Sequence, residues 1–151
     1  MDYNNYVLCW LATVDSDMQP NVSPKEMFLY DGHSNCYIAN IASPKSRSNI
    51  LINNKVCVSM VDIFKQVGVQ IKGVASILNS TSDEYKSKII AFESKFGKKF
   101  TIHSIIHVAV ESKKEILAPS YQFCSHTTSY DMIEDAVKSY HVKEVLSAYG
   151  L

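Results

Sequence analysis

The sequence predicts a mainly β fold, a small barrel of mostly antiparallel strands with helices packed outside it. Three observations carry this. Gln66 to Leu78 alternates over a long stretch, with Val67, Val69, Ile71, Gly73, Ala75 and Ile77 on one face. Short apolar runs before it are divided by turn residues, as in Asp15-Ser16-Asp17-Met18-Gln19-Pro20 and Asp31-Gly32-His33-Ser34. Helical spacing is confined to a few segments between or after these runs.

Taken in order, Tyr6 to Val14 reads as the first strand and Asn21 to Tyr30 as the second. In the second, Val22, Phe28 and Tyr30 share one face and Ser23, Lys25, Met27 and Leu29 the other. Pro24 within it points to an edge, a bulge or a strand start. A hairpin turn leads to a third strand, Asn35 to Ile41. A short helix follows from Pro44 to about Asn53, with Ile50 and Leu51 as its apolar face. Val56 to Val61 and Gln66 to Leu78 are the fourth and fifth strands. Thr81-Ser82-Asp83 opens a helix capped by Ser82 or Asp83, with Tyr85, Ile89, Phe92 and Phe96 at helical spacing and Gly97 at its end. Thr101 to Leu117 is a long strand carrying Ile102, Ile106, Val108 and Val110, broken by Pro119. Ser125 to Tyr130 is loop, and Asp131 to Tyr149 a C-terminal helix. No linker or internal repeat divides residues 1–151, so one domain is expected.

Lysine plus arginine and aspartate plus glutamate are 15 each, for zero net charge. This argues against a polyanionic partner such as nucleic acid. No apolar run approaches the ~20 residues that span a bilayer. Asp2 and the lack of a basic start argue against a secretory leader, so a cytoplasmic location is expected. Cys9, Cys36 and Cys57 lie in apolar runs and Cys124 among polar residues, none in a Cys-x-x-Cys pair. Free thiols fit better than disulfides or zinc.

Ser43-Pro44-Lys45-Ser46-Arg47-Ser48-Asn49 holds the sharpest chemical signal. Ser43 suits an N-cap and Pro44 the first helical position. Lys45 and Arg47 then fall in the first turn, where the helix dipole disfavours cations by roughly 0.3–1 kcal/mol each. A bound phosphate would reverse that sign, meeting free N–H groups, serine hydroxyls and two cations. A solvated helix start with incidental basic residues is the other reading.

The remaining polar residues read as structural. His103 and His107 are about 13 Å apart along a strand, too far to share a metal. Asp83-Glu84 and Glu134-Asp135 read as helix starts that complement the dipole. Trp10 reads as core, and Tyr121 and Phe123 as core or interface aromatics.

Several segments together resemble a known family. Leu11-Ala12-Thr13-Val14-Asp15 with Gln19-Pro20-Asn21-Val22-Ser23-Pro24-Lys25 resembles the opening hairpin of the pyridoxamine-5′-phosphate-oxidase-like proteins, the FMN-binding split β-barrels. Ile41 to Ile50 resembles their phosphate-binding strand–helix junction, Gln70-Ile71-Lys72-Gly73-Val74-Ala75 their central strand, and Ile116 to Tyr121 a strand ending in Pro-x-Tyr. The segments run in the family's order from Leu8 to Tyr121 and are most similar to its small flavin-reductase-like members.

The resemblance implies FMN as cofactor, with Ser43 and Lys45 on its phosphate and Ser46 and Arg47 as helpers. It implies that Ser23, Pro24 and Lys25 line the flavin ring, and that Ile38, Ala39 and Asn40 pack against it. Lys25 is expected at the N1–C2=O edge, where a cation stabilises reduced flavin. A homodimer is implied, with FMN in a cleft between subunits and Gln70 and Tyr121 covering the flavin from the partner chain. Two departures matter. The ending Ser139-Tyr140-His141-Val142-Lys143-Glu144 lacks the Arg-x-His pair of the vitamin B6 enzymes, and Ser23 stands where their strand arginine contacts phosphate. The expectation is an FMN oxidoreductase with a small-molecule donor and acceptor, not a pyridoxine-phosphate oxidase. The alternative is a non-catalytic FMN module acting as store, sensor or electron-transfer partner.

Overall fold

A computed structural model of the chain describes residues 6–151. Seven strands form one antiparallel sheet: β1 (Cys9–Val14), β2 (Pro20–Lys25), β3 (Phe28–Tyr30), β4 (Asn35–Asn40), β5 (Lys55–Asp62), β6 (Val67–Leu78) and β7 (Ser104–Leu117). Their order across the sheet is β2-β1-β5-β6-β7-β4-β3. The sheet's outermost strands are therefore β2 and β3, yet only Glu26 and Met27 join them. Such a short joint forces the sheet to curl until its edges meet, which makes it a split barrel. At this seam Met27 extends the β3–β4 ladder by one residue, its carbonyl accepting from Ala39 N at 3.0 Å.

The expected single strand from Asn21 to Tyr30 is thus two. Alternation within a strand does not say which neighbour it pairs with. β2 pairs with β1, placing Pro24 opposite Trp10, and β3 pairs with β4. Pro24 is tolerated because β2 is an edge strand.

The interior holds Leu11, Phe28, Ile38, Val58, Met60, Ile71, Ile106 and Val108, all essentially sealed from solvent. A second cluster lies where α2 (Asp83–Phe96) covers the outside of β4 and β7. It gathers Tyr37, Ala39, Phe92, Ile102 and Ile105. β4 is therefore buried on both faces, which accounts for its apolar run without alternation. Ser82 caps α2 by accepting from Tyr85 N, as expected, and Asp83 and Glu84 lie in its first turn.

Gly73 sits at the bulge where the β6–β7 register shifts, opposite Val110. A Cβ there would run into the carbonyl of Ala109. Gly73→Ala is expected to cost about 1–3 kcal/mol, the usual range for overpacking a site that cannot relax. Urea unfolding checks this, and an unchanged midpoint would show that the bulge absorbs the methyl group.

Other expectations require correction. Trp10 is 45% exposed, because it points to the outer face of the sheet rather than into the barrel. Pro119 does more than end β7: it starts a short helix, α3 (Pro119–Phe123), where Phe123 is exposed. The C-terminal helix is two, α4 (Ser129–Ser139) and α5 (Val142–Ala148), divided at His141, which adopts φ 51°. Its true start is the Thr128–Asp131 capping box, so Glu134 and Asp135 lie mid-helix. Cys57 is half-buried and Cys124 exposed; all four cysteines are free. Among the described residues, no helix is long and apolar enough to cross a membrane.

Candidate functional site

The candidate site lies at the barrel seam, where the end of β2 approaches the turn after β4. Strand alternation puts Ser23 and Lys25 on the same side of β2, facing α1 (Pro44–Ile52). Lys25 is buried to 8% exposure. Its Nζ donates to Ser23 Oγ at 2.6 Å and to Ser43 Oγ at 2.8 Å. Ser23 Oγ lies 3.1 Å from Ser46 Oγ, so three serine hydroxyls gather round one ammonium. Among the described residues no carboxylate pairs with Lys25. Burial lowers its pKa, and the nearby Cys9 only partly opposes this. Cys9 is no counter-ion, since burial pushes its thiol up to about 12. A buried cation without an acid is costly to hold, and a bound anion removes that cost.

The start of α1 complements it. Ser43 occupies the N-cap, but its side chain makes no capping bond and no acidic residue lies in the first turn. The hydroxyl expected to cap the helix is engaged by Lys25 instead. The first helical bond runs from Arg47 N to Ser43 O, leaving the N–H groups of Lys45 and Ser46 ahead of it. Asn40 steadies the turn: its Oδ1 accepts from Ser43 N at 3.1 Å and its Nδ2 donates to Ser104 Oγ at 2.9 Å.

The inward face of α1 is mostly polar. Ser46 and Asn49 are buried beside Ile50, and Asn49 Nδ2 donates to Thr13 Oγ1 at 3.0 Å. Leu51, expected on this face, is 62% exposed. The helix is fixed to the sheet by that hydrogen bond together with the packing of Ile50 into the core.

Lys45 and Arg47 lie at the rim. Lys45 is exposed and pairs with Asp15 at 2.9 Å, which holds the Asp15 carboxyl below its usual range. Arg47 is exposed and makes no ion pair among the described residues. Beside the Lys25 cluster opens a cavity of about 220 Å³, walled by Pro24, Lys25, Met27, Ala39, Ser43 and Phe100. Glu26 also lines it. Ile38 faces the barrel core, so only its backbone is near this wall.

Gln70 and Tyr121 do not join the cluster within the chain. Gln70 lies on the outer face of the sheet, in register with Ser59 and so with Trp10 and Pro24. Tyr121 donates to Lys65 O at 2.9 Å, at the β5–β6 turn. Glu26, Met27, Phe100, Ser104 and Asn49 were not expected at the site. Asn49 had a signal, being a polar residue three positions from Ser46 on the same helical face; Phe100 had none. His107 is structural: its ring stacks on Tyr37 at 4.7 Å, and Nε2 lies 3.0 Å from Asn35 Oδ1. Among the described residues no group of side chains could hold a metal ion.

Comparison with known proteins gives this geometry a context. HupZ from Group A Streptococcus is similar in structure at 25% identity and a TM-score of 0.64, over 76% of this chain and 88% of that one. An FMN-binding protein from Syntrophomonas wolfei aligns at 18% identity and TM-score 0.62, over 76% and 80%. HutZ from Vibrio cholerae, described as a heme storage protein, aligns at 17% and 0.63, over 75% and 87%. At such identities the last two show the fold alone. No curated protein sequence matches. The sequence model of the pyridoxamine 5′-phosphate oxidase family matches residues 3–123, so the chain, a split β-barrel with flanking helices, belongs to that family.

Proposed function

We propose that this protein binds FMN and transfers electrons through it between a small-molecule donor and acceptor. The observation that carries the reading is the buried Lys25 ammonium, with no acid among the described residues to pair it and three serine hydroxyls around it at an uncapped helix start. That donor set suits a phosphate monoester: a cation, hydroxyls and backbone N–H groups, with no carboxylate among the described residues bonded to Lys25, although Glu26 lines the cavity. Bound FMN supplies hydride-accepting chemistry at its ring.

The residues of the chain divide the remaining work. Lys25, Ser23, Ser43 and Ser46 hold the phosphate. This assigns Lys25 to the phosphate rather than to the ring edge, because its Nζ already lies 2.8 Å from Ser43 Oγ. Lys45 and Arg47 attract the anion from the rim and are largely screened by water. Pro24, Met27 and Ala39 wall the cavity that receives the ring, and Asn40 positions the turn that carries Ser43.

The second wall of the flavin comes from a partner copy. Trp10 and Val22, 45% and 57% exposed, give the outer sheet face an apolar surface that a homodimer covers, with Gln70 beside them. Tyr121 reaches the partner's flavin from α3. Free Cys9 and Cys36 fit the reducing cytoplasm.

Absorbance of the purified protein after incubation with FMN and dialysis tests the reading. Retained flavin that is bleached anaerobically by a reduced nicotinamide supports an oxidoreductase. Retained flavin that no donor reduces supports the non-catalytic module, and a colourless protein refutes both.

Binding should also depend on pH. Below its lowered pKa, Lys25 carries the charge that attracts phosphate; above it, that charge is gone. FMN affinity is expected to fall as pH rises through a point below 10.5, the ordinary lysine value. A constant dissociation constant up to that pH would show that Lys25 is not the phosphate counter-ion.

A further inference from the structure

The geometry points to a second ligand site beside the first, an apolar pocket with a cationic rim that takes an aromatic carboxylate. As a substrate site it rests on the flavin reading above; as a binding site it does not. The pocket measures about 580 Å³ and is lined by Tyr6, Leu8, Met27, Phe96 and Phe100, with Lys95 at its edge. That size and lining suit a small aromatic molecule. It shares Glu26, Met27 and Phe100 with the Lys25 cavity, so occupants of the two sites are neighbours.

The charge pattern sets the class and the orientation. Lys95 Nζ stands 5.1 Å from the centroid of the Phe96 ring and 5.8 Å from that of Phe28. Among the described residues it makes no ion pair, whereas Lys98 is engaged by Glu93 at 3.3 Å. Glu26, on the shared wall, repels a carboxylate. A ligand therefore directs its carboxylate toward Lys95 and its ring toward the flavin cavity. Lys95 also offsets the dipole at the end of α2, which a purely structural lysine does equally well.

Calorimetric titration with naphthoate and with neutral naphthylmethanol, on the protein with and without FMN, separates these roles. Naphthoate is expected to bind about fivefold more tightly than the alcohol, the scale of one partly exposed ionic contact. Lys95→Met should abolish the preference and Lys95→Arg should keep it, both with unchanged FMN affinity. Equal binding of the two probes, no binding of either, or a preference that survives Lys95→Met overturns the proposal. Naphthoate binding in a protein that takes no FMN rejects the flavin reading alone. FMN binding without naphthoate binding rejects this site alone.

Discussion

Lys25→Met is expected to weaken FMN binding about 10- to 100-fold, from the ~1.5–3 kcal/mol of a hydrogen bond to a charged group. The flavin-free variant should be no less stable than the original. Lys25 is buried and no acid among the described residues pairs with it, so methionine removes a desolvation cost while filling similar space. The two effects together are diagnostic, since a lysine serving only the fold would lower both affinity and stability. Lys45→Ala is expected to change affinity less than about fivefold, because that side chain is exposed and already paired with Asp15. Fluorescence titration of FMN and thermal melts of the flavin-free proteins check the ordering. A larger loss from Lys45→Ala than from Lys25→Met would move the phosphate to the rim.

Trp10→Glu is expected to split the proposed homodimer. Light scattering should then show the mass of two 17.0 kDa chains falling to that of one. Trp10 stands in register with Pro24 on one side and Ser59 on the other, on the outer face next to the edge strand β2. A carboxylate there would be buried unpaired in a closed interface, at a cost of several kcal/mol. In a monomer the position is 45% exposed and water still reaches the carboxylate, so the fold should survive. FMN binding should weaken in parallel, since one wall of the flavin is lost with the partner. A Trp10→Glu protein that remains dimeric would place the interface elsewhere.

Much of the barrel is legible in the sequence because burial imposes its period on the strands. Gln66 to Leu78 alternates as β6 does, with Val69, Ile71 and Ala75 inside. The break at Glu26-Met27 is not legible, since Val22, Phe28 and Tyr30 read as one face of a single strand, whereas the joint reverses the phase and leaves Val22 outside and Phe28 in the core. Trp10 misleads for a related reason. A large aromatic in an apolar run reads as core, whereas the sheet turns it outward. His141 interrupts the C-terminal helix without glycine or proline, the residues that usually mark such a point.

The candidate site shows the same division. Ser43 and Pro44 fall at the start of α1 where local capping rules put them, though the Ser43 hydroxyl makes no capping bond. The part played by Lys25 does not, because it depends on two segments 18 positions apart meeting at the barrel seam. The sequence makes Lys45 and Arg47 the obvious phosphate cations. In the proposed site burial makes Lys25 the stronger candidate, since a desolvated charge acts through a lower dielectric than an exposed one.

The most direct test compares FMN with riboflavin, which differ by the phosphate alone. Titrated into the native protein, FMN is expected to bind at least about tenfold more tightly, and Lys25→Met should remove most of that difference. Equal affinity for the two flavins, or a phosphate preference untouched by Lys25→Met, would contradict the assignment of this buried lysine and helix start to the FMN phosphate.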